Sequence, residues 1–305
     1  MAVKHGIMRP LNAGPAARPR LKASKPRRLS RSKAGNALVF FMLTVLGLFV
    51  AIPFMFAILQ SVKPLEELFV FPPRFFVVNP TLENYIMVGR LAGSSLLPMS
   101  RFVFNSVFVS ATVTALHVLL ASMAAFPLAK YKFPGSKMLS AVIVTALLFS
   151  YEVTALPMFL VVSVTGMLDS YWAIILPALA GPLGIFLMRQ FMQVIPDAMI
   201  EAASVDGAST FHTYWSIAMP QAKPAWMTLV IFAFQGIWGR GATEFIFSSE
   251  MKMLPTVLSQ LASGGIARTG AAAAVAVLLM LPPIVIFIFS QSKIIETMAY
   301  SGIKE

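Results

Sequence analysis

The chain is divided into apolar runs, each close to the twenty residues an α-helix needs to cross a bilayer, with most charges between them. The runs cover about 37–59, 102–128, 138–162, 171–192, 225–247 and 270–290. In hydrocarbon a backbone must satisfy its own polar groups, so such runs fold as helices. Composition agrees: 58% of residues are hydrophobic, 12% are charged and the mean hydropathy is +0.79. Soluble domains carry about twice that share of charge. The reading is an all-α polytopic membrane protein with six transmembrane helices. With no cysteine in the chain, disulfides and thiolate metal sites are excluded.

Charge sets the expected orientation. The net charge of +12 would suggest nucleic acid in a soluble protein, but residues 1–35 hold ten of the 24 Lys and Arg and no acid. This stretch reads as a basic, disordered cytoplasmic tail against anionic lipid. The apolar run behind it is too long for a signal-peptide core and lacks a small-residue cleavage site. The turn at 130–137 carries Lys130, Lys132 and Lys137 without an acid, which also places it inside. Six spans then leave both termini cytoplasmic, with residues 36–305 as the transmembrane domain and loop 195–224 on the same side.

That loop, Ile195 to Pro224, is a polar amphipathic island between apolar runs. Pro196 and Asp197 suit a helix start, where a missing N–H costs nothing and a carboxylate meets the positive dipole end. Met199, Ile200, Ala202 and Ala203 form a small-residue face beside Glu201. Gly207 suits a left-handed helix end, and Ser209 or Thr210 suits the cap of a second short helix through Phe211, Tyr214, Trp215 and Ile217, which Pro220 stops. Helix, glycine, helix is a docking elbow, and no nucleophile–base pair or metal cluster lies in it.

The clusters Glu201-Ala202-Ala203, Asp206-Gly207-Ala208 and Ile217-Ala218-Met219-Pro220 resemble the EAA loop of ABC-importer permeases. Met219 departs from the leucine usual there and keeps an apolar side chain. The resemblance implies the transmembrane subunit of a type I ABC importer in the bacterial inner membrane. In that reading Glu201, Ala202, Ala203, Asp206, Gly207, Ile217 and Pro220 couple the permease to a cytoplasmic ATPase. It also implies a second permease, two ATPase subunits and an external solute-binding protein. The chain shows no phosphate-binding G-x-x-x-x-G-K-[ST] run, so it is not expected to be an enzyme. It needs no cofactor of its own, ATP and magnesium belonging to the partner ATPases.

Ser61-Val62-Lys63-Pro64, Thr81-Leu82-Glu83-Asn84-Tyr85 and Asn105-Ser106 resemble the carbohydrate permeases related to the maltose system. The stretch from Trp238 to Pro255, with the C-terminal residues Glu296 to Ala299, looks like a subgroup handling oligosaccharides, including uronate-rich ones such as alginate or rhamnogalacturonan pieces. Ionisable groups inside a membrane are costly and mark functional sites by default. Glu152 and Arg240 lie roughly 21 and 24 Å along their runs from the inner side at 1.5 Å per residue. They either pair with each other or line a polar pathway with Gln235, Trp238 and Glu244. Arg240 would suit a carboxylated sugar, while Trp238 offers a flat face to a sugar ring. A neutral sugar, another solute such as phosphate or polyamine, and an ion-coupled secondary transporter are the alternatives.

Overall fold

The computed structural model describes residues 33–93, 97–240 and 244–301, apart from the side chains of residues 33, 240, 261, 266 and 292–301. The basic segment 1–32 lies outside the described residues. Two compact units are present, residues 1–52 and 53–305. The described part of the first is helical, the beginning of α1 (Lys33–Ser61).

The second unit continues through the short α2 (Leu65–Leu68), α3 (Glu83–Gly93), the long α4 (Met99–Lys130), α5 (Ser136–Ala146) and α6 (Tyr151–Val164). Then follow α7 (Trp172–Leu179), α8 (Pro182–Val194), α9 (Asp197–Val205), α10 (Thr210–Thr213), α11 (Met219–Gln221), α12 (Lys223–Arg240), α13 (Leu254–Ala262) and α14 (Thr269–Ser301). Among the described residues there is no strand. Ala34–Ser61, Met99–Lys130, Trp172–Val194 and Thr269–Gln291 are each long and apolar enough to cross a membrane. So is the pair α5 and α6 taken together, bent by 108°. Helix α12, with a cation at each end and Gln235 within, falls short of that apolarity.

The apolar run 138–162 breaks at 147–150, ahead of Glu152 and Pro157. The N–H groups of Leu148 and Phe149 reach back only three residues, to Thr145 and Ala146, which tightens the end of α5. Ser150 is then extended, and its carbonyl accepts from the Thr154 N–H and hydroxyl to open α6. Glu152 falls in the first turn of α6, near its positive dipole end, and Pro157 is carried inside the helix.

The run 171–192 bends between α7 and α8, where Pro182 sits at the first helical position. The bend has a steric cause. The His117 ring of α4 lies against it, so that a Cβ on Gly184 would stand 2.4 Å from Nε2 and one on Gly181 2.9 Å from Cε1. The ring's Nδ1–H donates to the Leu179 carbonyl at 3.2 Å, an acceptor at the end of α7.

Helix α4 is central, packing on α7, α8, α12 and α13. One core joins Val118, Ala125 and Phe126 of α4 to Met188 and Met192 of α8, Ile200 of α9, Tyr214, and Leu229 of α12. At its other end α4 meets loop 248–254. Asn105 Nδ2 donates to the carbonyls of Glu250 and Lys252 at 2.8 and 3.0 Å, and its Oδ1 accepts from the Tyr171 hydroxyl at 2.7 Å. Ser106 Oγ accepts the first N–H of α13, that of Leu254, at 2.6 Å. The alanines that open α14 give α3 and α13 a close seat, with Ala271 and Ala274 buried beside Val88 and Leu258. Asn84 bonds the carbonyls of Ser61 and Lys63 at 2.9 and 2.7 Å, and a Cβ on Gly270 would meet Asn84 Oδ1 at 2.1 Å.

Asp169 closes a second clasp. It adopts a left-handed backbone (φ 57°), which Asp tolerates better than most residues, and its N–H bonds the Phe245 carbonyl at 2.9 Å. Its Oδ1 accepts the N–H of Ser248 at 2.8 Å and of Phe247 at 3.0 Å. These bonds, Ser248's first, hold the carboxyl below its ordinary range. A lowered folded pKa means the clasp contributes fully above the ordinary carboxylate value and is lost as pH falls through the lowered one. We expect the Phe247 and Ser248 amides to exchange more slowly in the wild type than in Asp169→Ala at neutral pH. The difference should vanish only below the normal aspartate range, as hydrogen-exchange mass spectrometry across pH would show.

Candidate functional site

The elbow forms from its own sequence. Helix α9 starts after Pro196 with Asp197 in its first turn and ends in a Schellman turn. The Ala208 N–H bonds the Ala203 carbonyl at 2.9 Å, and the Gly207 N–H bonds that of Ser204 at 3.1 Å. This requires a left-handed residue, and Gly207 supplies it at φ 80°. Ser209 then caps α10, its Oγ accepting the His212 N–H at 3.2 Å. Pro220 does not end this second helix. Residues Tyr214–Ala218 widen into a π-helical turn and Pro220 enters the first turn of α11. The wider turn accommodates a ring that would clash with the carbonyl four residues back.

The elbow is fixed to the spans at three places. Ile200 and the half-buried Ile217 sit in or against the core shared with α4 and α8. The Tyr214 hydroxyl bonds Ser122 Oγ of α4 at 2.7 Å, and its ring lies 5.7 Å from that of Phe126. Lys130, the last residue of α4, has a side chain only 2% exposed. Its ammonium donates to the Ile195 carbonyl and to Asp197 Oδ1, the latter at 2.7 Å. Lys130 thereby holds the Asp197 carboxyl below its ordinary range.

The opposite face is open. Glu201, Ala202, Asp206, Gly207 and Pro220 are exposed, while Ala203 is buried against the elbow's root. Val205, Phe211 and Trp215 are exposed as well, so the elbow presents apolar and acidic side chains together. The ties to Lys130 and Ser122 were not legible in the sequence. Each joins residues more than sixty positions apart, and no local pattern encodes that.

The residues expected along a substrate pathway separate. A cavity of about 510 Å³ opens between α4, the α5–α6 break, the α7–α8 bend and α12. Glu244 lines it and accepts a hydrogen bond from the Tyr151 hydroxyl. His117, Thr154, Phe149 and Phe232 complete its polar and aromatic wall. Glu152, one residue beyond Tyr151, and Gln235 are exposed and lie off this lining. Trp238 is buried, stacked on Phe234 with ring centroids 5.5 Å apart. Its Nε1–H donates to the Leu279 carbonyl at 2.9 Å, an acceptor freed because Pro283 four residues on has no N–H. The indole thus completes α14. Arg240 closes α12, and its side chain lies outside the described ones. Tyr151, His117 and Thr154 are the lining residues that spacing alone did not single out.

A Cβ on Gly207 would meet nothing within 4 Å, so Gly207→Ala is strained through its backbone alone. We expect it to destabilise the end of α9 by about 1 kcal/mol. Faster exchange of the Ala208 amide, with no change in the core amides of α8, would report it.

Comparison with known proteins bears on this arrangement. Residues 117–298 match the family described as binding-protein-dependent transport system inner membrane component. The arabinooligosaccharides transport system permease protein of Bacillus subtilis is 29% identical over 271 residues, 88% of this chain and 94% of that protein. The polygalacturonan/rhamnogalacturonan transport system permease protein of the same organism is 28% identical over 225 residues, 74% of this chain and 76% of its own length. A crystal structure of a bacterial ABC transporter involved in the import of the acidic polysaccharide alginate contains a chain of the same fold. Its TM-score is 0.70 at 20% identity, over 86% of this chain and 98% of that one. The chain belongs to the binding-protein-dependent transport system inner membrane components, the permeases of ABC importers.

Proposed function

We propose that this chain is the permease subunit of an ATP-driven importer for oligosaccharides. It crosses the membrane six times, with α12 as the fifth span and both termini cytoplasmic. The observation that carries the reading is the elbow 195–224, which is rooted on α4, α8 and α12 on one side and open on the other. The exposed residues Glu201, Ala202, Asp206 and Gly207, with Val205 and Phe211, form the face an ATPase subunit would grip. Two such subunits bind ATP and magnesium, a second permease completes the pathway, and an external binding protein delivers the sugar. ATP-driven closure of the ATPases displaces the elbow. Lys130 and Ser122 pass that displacement to α4, and α11 passes it to α12, so the pathway alternates between the two sides.

The sugar class is supported from two directions. The polygalacturonan relative and the alginate importer handle acidic polymers, and Arg240, the last residue of α12, is a cation whose charge would suit a uronate. The second reading, a neutral oligosaccharide, is favoured by Glu244 on the cavity wall, because a carboxylate there repels an anionic sugar, and by the arabinooligosaccharide relative. Tyr151, Thr154 and His117 would serve sugar hydroxyls in either case, with Phe149 and Phe232 against ring faces. The test is ATP hydrolysis by the importer reconstituted in lipid with its binding protein, across neutral and uronate oligosaccharides. Stimulation by uronates alone is expected for the wild type, and Gly207→Asp should abolish it. Stimulation by neutral sugars alone would transfer the assignment to the second reading. Activity that persists in Gly207→Asp would refute the coupling role of the elbow.

A further inference from the structure

The segment between α1 and α3 is unlike an ordinary connecting loop. Its two limbs are tied together by buried charges. Lys63 is 2% exposed and its ammonium donates to the Arg74 carbonyl. Glu67 is 8% exposed, and its Oε1 accepts the Val78 N–H at 2.7 Å. At the base the Thr81 N–H bonds the Val62 carbonyl at 2.8 Å, and Ser61 Oγ bonds the Tyr85 hydroxyl at 2.8 Å. A hairpin held in this way has a fixed outer surface. That surface is apolar: Phe71 is 93% exposed, Phe76 69%, and Phe69 and Val78 more than half.

The hairpin also folds back onto α1. The Phe75 ring lies 5.8 Å from that of Phe56, and it packs edge-on against Phe76 at 5.3 Å. Phe56 belongs to the apolar part of α1, five residues before that helix ends at Ser61. At 1.5 Å per residue this is roughly 7 Å below the helix end. With the end of α1 at the membrane surface, Phe75 stands at the depth where acyl chains meet headgroups, and Phe76 stands beside it. Arg74, exposed between these aromatics and Phe71, offers a cation at the level of lipid phosphates. A rigid apolar surface with a flanking cation at this depth has the chemistry of an interfacial anchor.

We propose that the hairpin Leu65–Pro80 is a lipid-interface anchor. It seats Phe71 and Phe76 in the headgroup–acyl boundary of the leaflet at the C-terminal end of α1. It fixes the depth of α1 and, through Asn84 on Gly270, the depth of the start of α14.

The chain has no cysteine, so single spin labels can be placed without other changes. Phe71→Cys and Phe76→Cys, labelled in the assembled importer in phosphatidylcholine–phosphatidylglycerol nanodiscs, would be read by power saturation against oxygen and a water-soluble nickel chelate. Leu46→Cys within α1 gives the lipid reference and Glu83→Cys at the start of α3 the aqueous one. Both hairpin labels are expected to favour oxygen severalfold over the Glu83 reference, at a depth shallower than Leu46. A nickel-accessible label at Phe71 and Phe76 would place the hairpin in water and overturn the proposal. Protection from both reagents would mean that a protein partner covers the surface, which overturns it as well. Because both side chains are exposed, either label alone decides the matter if the other variant assembles poorly.

Discussion

In hydrocarbon, apolar helices gain nothing from leaving lipid for one another, so the bonds that choose neighbours must be polar or sterically close. Here they are concentrated on α4. Along one helix Asn105, Ser106, His117, Ser122 and Lys130 each reach a different neighbour. Every one meets an irregular place: the loop before α13, the first N–H of α13, the end of α7, the π-turn of the elbow, and the chain entering α9. Backbone groups released by a bend or a helix end would be expensive in lipid. Asn105, Ser106, His117 and Lys130 answer such groups with side chains from α4, and Ser122 holds the π-turn through the Tyr214 hydroxyl. The same logic explains Trp238 and Leu279, where an indole takes the carbonyl that Pro283 abandons.

This distribution has a mechanical consequence. Side-chain hydrogen bonds tie the elbow to α4 at Ser122 and Lys130, and it runs into α12 through α11 almost without a break. A force applied to α9 or α10 has no slack loop in which to dissipate. Under the proposed coupling it would bear on the core shared by α4, α8 and α12, and two of the cavity's walls belong to α4 and α12. The ammonium of Lys130 is nearly inaccessible to water while Asp197 is open to it. The tie is therefore held from the α4 side, with the carboxylate as the adjustable partner.

Much of the elbow was legible because its rules are local. A left-handed glycine, a serine cap and an early proline act within four residues of themselves, and the α9 they delimit is the one expected. Pro220 was misread for the opposite reason. A proline inside a helix can break it or be absorbed by a wider turn, and Tyr214 anchored to Ser122 makes the second outcome available. The sequence could not reveal that anchor. Trp238 looked like a sugar platform because an aromatic near Gln235 and Arg240 has the right composition. Its role was decided by Pro283, more than forty residues away. The patterns around Ser61, Asn84 and Asn105 were recognisable as patterns, but the structure shows what they accomplish: they terminate helices and pin loops.

The cavity presents the same problem in energetic form. Tyr151, at the α5–α6 break, donates to Glu244, which follows α12, and the bond takes up an acceptor that a sugar could use. Opening that pair would expose Glu244 to substrate, and closing it would seal the wall with Tyr151. Helix α6 begins at Tyr151, and the chain before it is already broken by 108°. The polar character of the cavity then depends on helix geometry, and under the proposed coupling the elbow would act on that geometry through α4 and α12.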